Sequence, residues 1–211
     1  MKREASVNLF QYWNRLRDGR PAPRRTEIEP ADIKALLGDT FILENDSRGE
    51  AVFRLAGTRL CAIYGRELKG FAFSSLWREN DSRMVMRLVQ AVFHEKSVLV
   101  ISYEGISRGQ RSVSMELLLL PLDGGEEHRR ALGIISPESK PYWLGADPVS
   151  DAGVEAVRIV NPDREPMFLK NRPAVRVAST SSGRDEPQPP SGPVGARRIR
   201  HLVVLPGGRM E

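Results

Sequence analysis

Four side chains of this sequence could act as a nucleophile, metal ligand or proton shuttle near neutral pH: Cys61, His94, His128 and His201. No two of them have the spacing of a zinc site. Cys61 sits in the apolar run Leu60-Cys61-Ala62-Ile63 with no catalytic base beside it, and reads as a small buried hydrophobe. His94 closes a long helical pattern and is followed by Glu95-Lys96, a helix C-terminus that favours a solvated cation. His128 lies among Glu126, Glu127 and Arg129 in a polar turn, and His201 leads an apolar segment; both read as surface residues. The sequence holds no Gly-x-Ser-x-Gly elbow, no phosphate loop ending in Gly-Lys-Ser/Thr and no His-Glu-x-x-His. Arg158, Asp163 and Glu165 make no recognisable site, and Glu44, Asp46 and Glu50 flank a turn. The expectation is a protein that is not an enzyme.

Charge is the other candidate chemistry. The formal net charge is +5, with a pI near 9.6, and Arg15, Arg17, Arg20, Arg24 and Arg25 fall in one short stretch. Such a cluster could meet phosphates. No aromatic residue interleaves with it, so a base-stacking platform is not supported, and a solvated linker is the simpler reading. Nucleic acid is therefore the less expected partner. No apolar run approaches the roughly 20 residues that cross a bilayer, and the amphipathic start MKREASVNLFQYWNRL is not a secretory signal. One cysteine cannot close an internal disulfide, which fits a cytoplasmic location.

The elements that would position these residues follow from periodicity. Leu9, Trp13 and Leu16, with Val7 and Phe10 beside them, give an amphipathic helix ended by Asp18-Gly19. Pro30 begins a short helix through Leu37. Thr40 to Glu44 and Ala51 to Ala56 read as two strands, with Phe53 and Leu55 on one face. Gly57-Thr58 opens a helix of about two turns. Asp81 or Ser82 is expected to cap the clearest helix, whose apolar residues step by four from Met84/Val85 to Val92/Phe93. Val98 to Ser107 and Ser112 to Leu122 form a hairpin across Arg108-Gly109-Gln110, and Arg130 to Ser136 adds a third strand. Leu117 to Leu120 is apolar on both faces, so the N-terminal helix is expected to cover the outer one. The order gives an α+β fold with an antiparallel sheet and helices gathered on one face.

The boundaries expected are an N-terminal helix and linker (1–24), the sheet domain (25–145), an extension with a possible strand (146–173), a disordered Ser/Pro-rich insert (174–196) and a terminal strand segment (197–211). The apolar run Ile199 to Leu205 should pair inside the domain, with Val157 to Val160 the nearest match.

The stretch Gly57-Thr58-Arg59-Leu60 … Tyr64-Gly65-Arg66-Glu67-Leu68 … Gly70, set between two strands and a long helix with three further strands, resembles a PAS domain. The fuller layout is similar to stand-alone PAS proteins of alphaproteobacteria: NLFQYWNRLRDGR, PAPRRTEIEPADI, Pro141-Tyr142-Trp143-Leu144-Gly145 and His201 to Gly208 match in order. The resemblance implies a five-stranded antiparallel sheet and a sensory or interaction module rather than a catalyst. It implies no cofactor by position: the flavin-adduct cysteine of light sensors would fall near Gly70-Phe71-Ala72-Phe73, where there is none, and His94 is poorly placed for haem.

Tyr64, Phe71, Phe73, Trp77, Met84, Leu88 and Val100 would line the cleft between helices and sheet, either as ordinary core or as a pocket for a small apolar ligand. Leu9, Phe10, Trp13 and Leu16 are the candidate interaction face, for the outer sheet or for a second subunit. The reading is a cytoplasmic bacterial signal-transduction protein acting through a protein partner or a homodimer. A small basic nucleic-acid-binding protein and a haem- or flavin-bearing sensor are the alternatives.

Overall fold

The first helix, α1 (Glu4–Arg17), ends where Asp18 and Gly19 both take positive φ, a left-handed stop that releases the chain into three short 3₁₀ turns. The structure, a computed structural model, describes residues 1–125, 129–163, 175–176, 197–199 and 202–204. Two strands follow the turns, β1 (Thr40–Asn45) and β2 (Ala51–Ala56), then a two-turn helix α2 (Thr58–Tyr64) and the long α3 (Glu79–Glu95). Four further strands come next: β3 (Val98–Ser107), β4 (Ser112–Leu122), β5 (Arg130–Pro137) and β6 (Val149–Val160). The two-residue β7 (Val175–Arg176) completes one antiparallel sheet in the order β2-β1-β5-β4-β3-β6-β7. Contacts divide the chain into two units, Met1–Ser179 and Thr180–Glu211. In the second, β8 (Arg197–Ile199) pairs antiparallel with β9 (Leu202–Val204).

Alternation along the strands builds a core on each side of the sheet. The inner core joins Phe41, Leu43, Leu99, Ile101, Tyr103, Leu117 and Leu119 to α2 and α3 through Leu60, Ile63, Val85, Val89 and Phe93. The outer core joins Ile42, Val98, Val100, Leu118, Leu120, Leu132 and Ile134 to Leu9, Phe10, Tyr12 and Trp13 of α1. The doubly apolar Leu117–Leu120 stretch is thus fully buried between α3 and α1. Glu116, on the outer face and 4% exposed, accepts backbone N–H groups from Lys2 (2.7 Å) and Arg3 (3.2 Å). A buried carboxylate requires such donors, and these fix the start of α1 on the sheet.

Four expectations are corrected. The sheet is not five-stranded, because β6 pairs with β3 from Val98↔Val160 to Ser107↔Val149. Asp151, Gly153 and Glu155 weaken its strand signal, but the open edge of β3 supplies the missing partner. Val157 to Val160 therefore pairs with Val98 to Ile101, and Leu202–Val204 pairs with Arg197–Ile199 instead. The long helix starts before Asp81, with Arg78 as its extended N-cap, and the Asp81 carboxylate instead accepts the Val154 N–H at 2.8 Å. Phe53 and Leu55 do not share a face: the register slips by one residue between Leu43↔Phe53 and Ile42↔Leu55, a β-bulge that moves Leu55 to the outer side. Of the insert expected at 174–196, Val175–Arg176 pair with β6, and the rest lies outside the described residues.

Candidate functional site

The cleft between the inner sheet face and the helices is filled by a chain of aromatic rings. Phe41, Phe53 and Phe73 meet with centroids 5.4–5.9 Å apart. Phe73 then meets Trp77 at 5.8 Å, and Trp77 meets Tyr103 at 5.0 Å. These edge and offset contacts are the favourable geometries for aromatic pairs. Gly133 on β5 makes room for the first ring, since a Cβ there would lie 2.1 Å from Phe41 Cζ. At the far end the hydroxyls of Tyr64 and Tyr103 share a buried hydrogen bond of 3.0 Å. Burial pushes the Tyr64 phenol up to about 12, against a smaller lowering by the Tyr103 hydrogen bond, and burial raises Tyr103 as well. Beside them, Trp77 Nε1 is buried and meets no acceptor among the described residues.

The structure therefore brings Tyr64, Phe73 and Trp77 together and places Met84 and Leu88, both partly buried, against the same core. Two candidates fall elsewhere. Val100 faces the outer core, because its neighbours Leu99 and Ile101 take the inner face and a strand alternates. Phe71 is 45% exposed and lies under the Arg66 guanidinium, 4.7 Å from its ring centroid. The turn that carries it instead closes the β2 edge through backbone bonds, Phe53 N–H to Phe71 O and Gly70 N–H to Phe53 O.

The single thiol stays outside this chain of rings. Cys61 is half-buried and donates to Glu67 Oε1 at 3.7 Å, and burial raises its pKa, which favours the thiol over the thiolate. His94 is exposed, 3.2 Å from the Arg129 guanidinium and away from the cleft; His128 and His201 lie outside the described residues. Among the described residues, no three His, Cys, Asp or Glu side chains come together as a metal site. Glu44, Asp46 and Glu50 are structural: Asp46 accepts from Arg48 and Glu50 backbone N–H groups, Glu44 pairs with Arg130, and Glu50 accepts from Ser74.

The interaction face is committed within the chain. Leu9 and Trp13 are fully buried and Phe10 nearly so, while Leu16 packs at the edge of the outer core. The arginine cluster is likewise divided. Arg17, 5% exposed, pairs with Asp163 at 2.7 Å and stacks over Trp13; Arg20 pairs with Glu27 at 2.9 Å. Arg25 turns instead toward a surface groove with Arg54, Lys69 and Arg130, a grouping that sequence spacing could not reveal.

No helix of the described residues is long and apolar enough to cross a membrane. No curated protein matches the chain. Among solved structures, the PAS domain of an HTR-like protein from Haloarcula marismortui is 19% identical, covers 51% of this chain and 89% of its own, and has a TM-score of 0.38. The PAS domain of a protein from Colwellia psychrerythraea is 16% identical, covers 54% of this chain and all of its own, and has a TM-score of 0.37. The family model described as PAS domain matches residues 1–136, from the start of α1 through β5. With nearly two thirds of its length inside that match, the chain belongs to the PAS domain family.

Proposed function

We propose that this protein is a non-catalytic sensory or regulatory module that works by binding another protein. The observation that carries this reading is the family match over residues 1–136, from which the sensory or regulatory role follows. Binding to a partner is supported by the large apolar side chains left in solvent, among them Leu55 at 49% and Tyr142 at 90% exposure. The internal ion pairs of Arg17 and Arg20 take two of the five clustered arginines out of reach of a phosphate backbone, which weighs against nucleic acid as that partner. Isolation of the tagged full chain from its native cells, followed by reverse capture through the recovered protein, tests the reading. Recovery of the same pair in both directions and in fixed ratio is expected; recovery of the chain alone goes against it.

A second reading rests on Trp77. Its indole N–H, buried beside the Tyr64–Tyr103 hydroxyl pair, is a donor in search of an acceptor inside an apolar cleft. A small apolar molecule with one carbonyl or ether oxygen would satisfy it, at the cost of shifting the neighbouring rings. Mass spectrometry of organic extracts from native protein tests this, with loss of the extracted compound in Trp77→Phe as the expected result.

A further inference from the structure

The bulge in the β1–β2 pair has an effect on the opposite face of the sheet from the aromatic core. By turning Leu55 outward, it leaves that side chain 49% exposed and outside the outer core, next to Ile42, which is buried within that core. Arg25, Arg54, Lys69 and Arg130 stand around it and enclose a groove of about 300 Å³. A second cleft of about 350 Å³ continues from it, sharing Arg25 and Arg130 and adding Arg24.

Among the described residues the opposing charges are few. Glu44 pairs with Arg130 and lies 4.0 Å from Arg54, and Asp123 stands in the second cleft. Among the described residues no carboxylate pairs with Arg25 or Lys69. Among the described residues the groove thus presents four cations against one carboxylate around the exposed Leu55 side chain.

We propose that this groove is the docking site for an acidic peptide segment of a protein partner, one that lays an aliphatic side chain against Leu55. The proposal rests on the reading of the chain as a module that acts through a partner. Charge complementarity selects the acidic flanks and steers the encounter. The lining favours peptide over nucleic acid, because none of the residues of the groove is aromatic and it offers no aromatic stacking platform for bases.

The test is fluorescence anisotropy of a fluorescein-labelled Glu-Glu-Leu-Glu-Glu-Leu peptide titrated with the full chain. The uncharged Gln-Gln-Leu-Gln-Gln-Leu peptide and a single-stranded oligonucleotide serve as comparisons. Saturable binding of the acidic peptide is expected, weakened by salt. Arg54→Glu with Lys69→Glu should reduce it about tenfold or more, the range typical of reversing interface charges. Leu55→Ser should reduce it about fivefold by removing apolar contact. Both alter exposed side chains, so circular dichroism should show the wild-type fold, with melting lowered slightly where Arg54→Glu meets Glu44. Arg83→Glu with Arg87→Glu on exposed positions of α3 makes the same change of charge elsewhere and should have no effect.

Absence of saturable binding, equal loss in the α3 control, or undiminished binding by Leu55→Ser would overturn the proposal. Tighter binding of the oligonucleotide, lost with Arg54 and Lys69, would assign the groove to nucleic acid instead. Failure here is distinct from failure of the broader reading: a partner captured equally well by the groove variant removes the groove alone, whereas capture of no partner by the wild type removes both.

Discussion

Trp13 Nε1 donates a hydrogen bond of 2.8 Å to the carbonyl oxygen of Pro121, 108 residues along the chain. Proline at that point of β4 gives no N–H of its own, yet its carbonyl is held by the indole from the helix that covers the strand. With Trp13 fully buried and Arg17 stacked over its ring, α1 is an integral layer of the domain rather than a free arm. Of the two roles open to this face, covering the outer sheet or meeting a second subunit, Trp13 takes the first, so its truncation acts on stability. Trp13→Ala should cost about 3–5 kcal/mol, as for other fully buried aromatics. Trp13→Phe should cost roughly 1–3 kcal/mol, by leaving the buried Pro121 carbonyl without its donor. Denaturant unfolding measures both; a Trp13→Ala protein within about 1 kcal/mol of wild type would contradict the covering role of α1.

Gly57 has a more local constraint. A Cβ there would lie 2.2 Å from the Leu37 carbonyl oxygen and 2.3 Å from that of Gly38, so the backbone itself would have to move. Its N–H also donates to Thr40 O at 2.8 Å, tying the entry of α2 to the start of β1. Gly57→Ala should destabilise by about 2 kcal/mol or more through overpacking, while Gly49→Ala, with open space around its Cβ, should show only the smaller strain of a positive φ. Thermal unfolding of the two variants side by side decides it. Equal effects would mean that crowding at Gly57 is not the constraint.

Why Ala-Gly-Thr ends β2 was legible in sequence only as the opening of a helix; the steric reason lies in Leu37 and Gly38, which no local pattern connects to it. The same distinction runs through the molecule. Strand alternation and helical steps placed β3, β4, α2 and the apolar stripe of α3, because each is decided by residues a few positions apart. Leu55 and Val100 were misplaced for different reasons. A one-residue bulge is invisible to alternation, whereas Val100 followed from choosing the wrong parity on a strand buried on both faces. The groove of Arg25, Arg54, Lys69 and Arg130 joins two turns and two strands from distant parts of the chain, so the visible cluster of arginines concealed it.

The buried phenol pair makes a prediction for alkaline pH. Tyr64 ionises at about 12 in the folded protein and Tyr103 is also raised, against ordinary values near 10. Between those limits the unfolded chain has lost protons that the folded chain retains, so stability falls as pH rises above about 10. Below the ordinary value the contribution is fully present. Unfolding free energies measured across this window should decline, and the decline should be smaller in Tyr64→Phe with Tyr103→Phe. The two single variants and the double variant also form a cycle, with an expected coupling of about 1 kcal/mol for the shared hydrogen bond. A stability profile unchanged by the double substitution would show that these hydroxyls are not the buried titrating groups.

The central proposal is that this PAS-family protein regulates by binding a partner and not by chemistry. The most direct measurement is calorimetric titration of the purified full chain with the partner recovered by reciprocal capture, followed by mass spectrometry of both proteins. The account predicts saturable heat with integer stoichiometry and unchanged masses of both chains. A partner that leaves the titration covalently altered, or one that gives no saturable heat, would contradict it.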